Sequence, residues 1–445
     1  MTSQTLRTRR IAGLLRSRLP ELHLERVADP RSRRGRRWKH LSTLLRAALV
    51  GIMAGSKSLS NLESLTDEMS VSTRRMLRIG RRVPDTTMRH MLIKLDPDEL
   101  RLRLHGQIKT AHRRKALAPL DLPFGQVAID GRSTALPDVA PDKVPKGSDG
   151  KWAEQFAQRC SQAGGHSYRL MRTITCTLVS ARAKPCLDAV PIPARTNEMG
   201  HFSTVIRDLA KAYKRSRLFR LVSADAGNCS LANAHVVTGE LNLDYLFRLK
   251  ADQPTLLAEA KRLLGGRRAR QAVVESVDVV GSTTETRRLH ITSEMAGFLD
   301  WKHLRTTLRI RKEKRDIKTG QVLTKEDHYA ISSLDIDELS HAQWLQAFRG
   351  HWGVENQCHN TWDTAFFEDD QPWIKTDPKG MVAVLVLRRL AYNVLALYRM
   401  VTQRSEDHRQ TPWKTIIRWV YNMLIAAQPN HLEGLRDRKM AHAGV

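Results

Sequence analysis

The sequence predicts an α/β protein built from a helical N-terminal domain, a core of strands and helices, and a β-rich insertion within that core. Three observations lead there. The stretches before Pro119 read as helices, punctuated by glycine and proline. After Pro119, short runs of Val, Ile and Thr ending in acids or glycines alternate with helical segments. Between about residues 255 and 333 the pattern becomes one strand after another.

Within residues 1–120, Leu41–Ala54 and the stretches around Leu62, Met76 and Met91 form the expected helices, broken at Gly55, Gly80 and Pro84. Residues 121–254 open the core. Gly125–Gly131 is a short strand ending in Asp130, and Tyr168–Val179 with Cys186–Ile192 reads as a hairpin. Thr196-Asn197-Glu198 supplies an N-cap signal for a helix to about Lys214. Leu218–Asp225 is a second strand closed by an acid, a helix starts at Ser230, and Leu243–Lys250 is a further strand. In the insertion, residues 255–333, strands are expected at Val273–Val280, Thr286–Thr292, Thr306–Lys312 and Tyr329–Ser333, with a turn at Lys318-Thr319-Gly320. Residues 334–400 return to the core and 401–445 read as a basic tail.

The segment 341–366 contains no proline and is expected to be one continuous helix, followed by an apolar helix at Met381–Tyr398. At 100° per residue, Trp344, Phe348, Trp352, Trp362 and Phe366 fall within a sector of about 80°. Glu355 and His359 fall inside that sector, which predicts a carboxylate facing the core. Such a group is costly unless it meets a cation, either a metal ion or a buried Arg.

The 445 residues carry 74 Lys and Arg against 46 Asp and Glu, a net charge of +28. This excess favours a polyanion, nucleic acid before an anionic membrane surface. Residues 1–120 hold 27 of the basic and 10 of the acidic residues, so DNA binding is expected there. Arg33, Arg34, Arg36, Arg37 and Lys39 are the candidate phosphate contacts, the alternative being a solvated basic face. No membrane segment is expected, since the apolar run Met381–Leu387 is far short of the ~20 residues a spanning helix needs. The N-terminus does not read as a signal peptide. Cys160, Cys176, Cys186, Cys229 and Cys358 include no C-x-x-C pair and read as reduced thiols of a cytoplasmic protein.

Asp130 and Asp225, each at a strand end, precede Glu355 on its helix. Singly, an Asp after a strand is a turn residue or a cap. Together in a basic α/β chain the three acids suit phosphodiester chemistry. Mg²⁺, with Mn²⁺ as a substitute, takes oxygen ligands, and two such ions stabilise the attacking and leaving oxygens. Around them, Lys250 and Arg349 are candidate DNA contacts, His351 a phosphate contact or metal ligand, and Asn356 a group that orients Glu355. Trp352, Trp362 and His359 read as core.

A series of segments runs through most of residues 25–400. It comprises Asp29-Pro30-Arg31, Ala128-Ile129-Asp130-Gly131, Thr196-Asn197-Glu198, Ala224-Asp225-Ala226, the run Asp244–Lys250 with Asp252-Gln253-Pro254, Glu285–Arg288, Tyr329–Ser333, Arg349–Asn356, Asp363 and Phe367-Glu368-Asp369. In order and spacing this series resembles the DDE transposases of bacterial insertion sequences, and among them the H-repeat-associated group. The resemblance implies a ribonuclease-H-like catalytic core with a β insertion between the second Asp and the Glu. It implies that Asp130, Asp225 and Glu355 are a metal-binding catalytic triad, acting on transposon ends and target DNA in a homodimer or larger assembly. Phe348, His351 and Trp362 stand where related transposases often carry Tyr, Arg and Lys, with Arg349 available to replace the Arg. The alternatives are a non-catalytic DNA-binding derivative and a nuclease that cuts without joining.

Overall fold

Ten strands among the described residues form one sheet, and the strand that carries Asp130 and the strand that Asp225 follows are neighbours in it. The computed structural model describes residues 3–32, 40–161, 165, 167–265 and 271–435. Arg33, Arg34, Arg36, Arg37 and Lys39 lie outside them. The mixed α/β architecture agrees with the sequence reading.

The strands are β1 (Gln126–Pro137), β2 (Ala157–Ser161), β3 (Ser167–Leu178), β4 (Cys186–Pro191), β5 (Leu221–Ala224), β6 (Asp244–Leu249), β7 (Val274–Val280), β8 (Thr283–Thr292), β9 (Thr306–Asp316) and β10 (Val322–Ser332). Their order is β2-β3-β1-β5-β6-β10-β9-β8-β7, with β4 also on the outer edge of β3. β1, β5 and β6 are parallel, while β3 and β4 turn antiparallel. The strand expected over Gly125–Gly131 continues to Pro137, because β3 pairs with it as far as Pro137 opposite Tyr168. The β-rich insertion is part of the same sheet, since β10 pairs with β6 on one side and β9 on the other. The turn at Lys318-Thr319-Gly320 joins β9 to β10, with Gly320 at the positive φ of 69° that glycine tolerates best.

Helices α1 (Ser3–Arg18), α2 (Leu41–Met53), α3 (Leu59–Glu68), α4 (Val71–Leu77), α5 (Asp85–Lys94) and α6 (Pro97–Arg113) precede the sheet. Between strands lie α7 (Gly150–Phe156), α8 (Glu198–Tyr213), α9 (Leu231–His235) and α10 (Pro254–Gly265). After β10 come α11 (His341–His351), α12 (Asn360–Thr364), α13 (Pro378–Leu397), α14 (Glu406–Arg409), α15 (Trp413–Ala426) and α16 (Pro429–Leu432).

The N-terminal helices share one hydrophobic core with the rest of the chain. Its axis is α13, long and apolar enough, with the π turn after it, to cross a membrane but wholly enclosed by protein. Gln107 of α6 donates to the Leu390 carbonyl of α13 (3.2 Å), and Trp373 Nε1 donates to the Ser56 carbonyl (3.1 Å). The segment after residue 400, read as a tail, forms α14–α16 instead. Its amphipathic α15 accepts a backbone hydrogen bond from Ser70 at Leu424 (3.1 Å). Deleting residues 1–120 is therefore expected to expose α13 and leave an aggregating or molten chain, not a free catalytic core. Circular dichroism and a thermal melt of the truncated protein check this; a cooperative melt near that of the full chain would refute it.

Candidate active site

Side-chain alternation brings the two aspartates to one place. Gln126, Ala128 and Asp130 project from one face of β1, and Leu221, Ser223 and Asp225 from the same face of the adjacent β5. The register pairs Ala128 with Ser223 and Ile129 with Ala224, so Asp130 and Asp225 follow side by side at strands about 4.8 Å apart. Buried Gln126 locks this arrangement, donating to Ser223 Oγ (3.0 Å) and to the Ala347 carbonyl of α11 (2.9 Å). Asp225 is not a helix cap, since its side chain caps nothing in the 3₁₀ turn that it precedes.

Glu355 reaches the same edge by a route the helical spacing did not predict. The expected helix over 341–366 is interrupted after α11, and Val354–His359 is a π-helical segment closed by the Asn360 amide on the Glu355 carbonyl. The wider turn resets the phase, so Val354, Cys358 and Trp362 are buried while Glu355, Asn356 and Gln357 are exposed. The inward-facing Glu355 is thus corrected to an outward-facing one. Its position is fixed by its neighbour: Val354 packs against Ala128, two residues before Asp130, and Val179.

The electrostatics tie the acids together. Burial, and then the negative charges of Glu198, Glu355 and Asp225, push the Asp130 carboxyl up to about 8. His359 Nδ1 lies 3.3 Å from Asp130 Oδ2. Burial, with Arg389 and Arg132 nearby, lowers the His359 ring to about 3, so it meets Asp130 uncharged. Asp225 faces cations instead: Arg248 Nη1 donates to Oδ1 (3.1 Å) and Lys250 Nζ is 3.8 Å from Oδ2. Neither Glu198 nor Glu355 has an ion-pair partner among the described residues, which removes the buried-Arg reading of Glu355. Among the described residues no three Asp, Glu, His or Cys side chains close into a ready metal cage.

A cleft of about 540 Å³ opens beside Glu355, between the insertion and the core. Lys184, Arg248, Arg287, Lys312 and Arg349 line it, with Trp352 and Asn356. Arg248 spans its floor, stacked on Trp352 (4.9 Å) and bonded to His328 (3.2 Å). Arg349 is held to the insertion by Asp278 (2.8 Å).

The family model of the transposase DDE domain matches residues 125–394, more than half of the chain and the whole of the region just described. The chain belongs to the DDE transposase family. No curated protein matches it.

The expected candidates among the described residues of the transposase differ in exposure. Lys250 is exposed beside Asp225, and Arg349 and Asn356 are on the cleft wall. His351 is only 4% exposed, its Nε2 3.8 Å from Asp225, and burial lowers it to about 4. It backs Asp225 as a neutral ring instead of standing in the cleft as a DNA contact. Sequence reasoning missed two residues of the site. Arg248 was legible from strand register, since pairing of Ala224 with Phe247 puts it beside Asp225. Glu198 belongs to an N-cap signal and to one of the segments that carry the family resemblance, and neither gives it a role in the site.

Proposed function

We propose that this transposase cleaves at the ends of an insertion sequence and transfers the freed 3′-hydroxyl ends into target DNA. The sheet order β4-β3-β1-β5-β6, with β1, β5 and β6 parallel, supports a ribonuclease-H-like core, and the sequence motifs support placement in the H-repeat-associated group. The observation that carries the reading is the register of β1 and β5, which sets Asp130 beside Asp225 on one face, with burial and the neighbouring carboxylates raising the Asp130 carboxyl. An all-oxygen donor set, in which Glu355 has no ion-pair partner among the described residues, fits Mg²⁺, with Mn²⁺ as a substitute. Asp130, Asp225 and Glu355 would hold it. Bound metal supplies charge stabilisation for the attacking and leaving oxygens.

The chain's own residues do the rest. His359 fixes the orientation of Asp130 without adding charge. Arg248 and Lys250, which meet Asp225 at the mouth of the basic cleft, are the cations placed to hold a DNA phosphate beside the acids. The basic cleft walls grip phosphates, so affinity for DNA falls as salt rises. The strongly basic residues 1–120 add to this grip, two or more chains synapse the paired ends, and the protein works in the cytoplasm, where bacterial DNA lies.

Glu355→Gln tests the reading. Because Glu355 is exposed, the variant should melt like the wild type, yet cleave transposon ends about 10³-fold more slowly. Pre-cut ends supplied to the wild type should be joined to a target plasmid. Wild-type cleavage by Glu355→Gln refutes the triad, whereas cleavage without joining makes the protein a nuclease.

A further inference from the structure

We propose that Glu198 is a fourth carboxylate of the cation site, seated by Gly131 and clamped by Asn228. This rests on the reading of Asp130, Asp225 and Glu355 as metal-binding acids. An acid in the first turn of α8 would ordinarily be explained by the helix dipole. Here that end is served by Asn197, whose Oδ1 accepts from the Gly200 amide (2.9 Å). The Glu198 carboxylate turns to the sheet instead. Its Oε1 accepts from Asn228 Nδ2 (2.6 Å), and its Oε2 occupies the space above Gly131, 1.9 Å from where a Cβ would stand. A side chain at 131 would displace this carboxylate, which is thus seated against the backbone of the residue that follows Asp130 in the chain. The charge of Glu198 helps to raise the Asp130 carboxyl, and that of Asp225 helps to raise Glu198.

Two buried side chains with unpaired polar atoms border these acids, Asn228 on Glu198 and His351 on Asp225. Asn228 is 1% exposed and its Oδ1 has no partner, although its Nδ2 is committed to Glu198. His351, behind Asp225, has no hydrogen bond at either ring nitrogen. Burying such groups unpaired is costly. A cation drawn in by four carboxylates, with its bound waters, supplies the charge and the hydrogen-bonding that these walls lack.

The test is Mn²⁺ alone, titrated into the full chain and followed by the electron paramagnetic resonance of the free ion. Glu198→Gln, which keeps the shape and the bond from Asn228, should weaken binding by about tenfold or more. Gly131→Ala should do the same with every carboxylate still present. Its methyl meets the Glu198 side chain and no nearer backbone atom, so that side chain is displaced from its clamp while the fold is kept, and melting curves of both variants should match the wild type. Wild-type Mn²⁺ affinity in both variants, with binding lost in Asp130→Asn, overturns the role of Glu198 and leaves the triad standing. Unchanged affinity in Asp130→Asn and Asp225→Asn as well overturns the metal site altogether.

Discussion

Asp130→Asn is expected to abolish DNA cleavage while making the metal-free protein more stable. The two effects share one cause. A carboxyl raised to about 8 in the folded chain, against an ordinary value near 4, resists ionisation where it sits. The folded protein then binds its proton more tightly than the unfolded chain does. Stability from this group is complete below about pH 4 and is lost as pH rises towards 8. Asn keeps the shape and never ionises. In chelator-treated protein the variant should therefore melt above the wild type at pH 8, with the gap closing towards pH 4. The whole span is on the order of 5 kcal/mol as an upper limit. Cleavage should fall by about 10³-fold or more, with binding to end DNA retained. Thermal melts at several pH values, beside a cleavage assay, measure both. A variant less stable at pH 8 than the wild type would show that Asp130 is a structural acid.

Glu368→Ala should produce the largest loss of stability of any single acid change near the site. Glu368 is 6% exposed and Arg389 is fully buried, and they are joined by two hydrogen bonds, one from Nη2 at 2.8 Å. Arg389 also lies over the Trp362 ring, 3.4 Å from its centroid, and Arg132 approaches Glu368 at 3.4 Å. Burial opposes the charge on Glu368, but Arg389 prevails and holds the carboxyl down at about 2. That lowered value means the pair stabilises the fold at neutral pH and loses its contribution as pH falls from about 4 towards 2. Removing the carboxylate strands a buried guanidinium, at a cost of about 3–5 kcal/mol. Urea unfolding at pH 7 should register it, and a change below about 1 kcal/mol would contradict the assignment. Because Arg132 is two residues from Asp130 and Trp362 packs on His359, the same change should loosen the acid site without touching a metal ligand.

The strands and helices of the core were legible because each carries its own period and punctuation. Ala128 and Asp130, two apart on a strand, needed nothing but alternation to be placed. Glu355 was harder. Its membership of the site followed from chemistry, but its direction rested on 100° per residue, and nothing in His351–His359 signals a π segment. Glu198 shows another limit: Thr196-Asn197-Glu198 looks like a helix start, and it is one, with Asn197 doing the capping. Only the empty space at Gly131 reveals where the third residue of that signal goes. The N-terminal helices were recognised, yet their dependence on α13 was not, because a helix gives no local sign of which distant surface covers it.

The union of β6 with β10 has a mechanical consequence. A domain inserted through two flexible strands can swing like a door. This one is riveted to the catalytic sheet along Leu246–Leu249 by the pairing of four residues with Tyr329–Ser332. Swinging it would tear that seam. A channel wall fastened in this way would leave much of the conforming to the nucleic acid, and sequences that kink easily would then seat at lower cost than stiff ones.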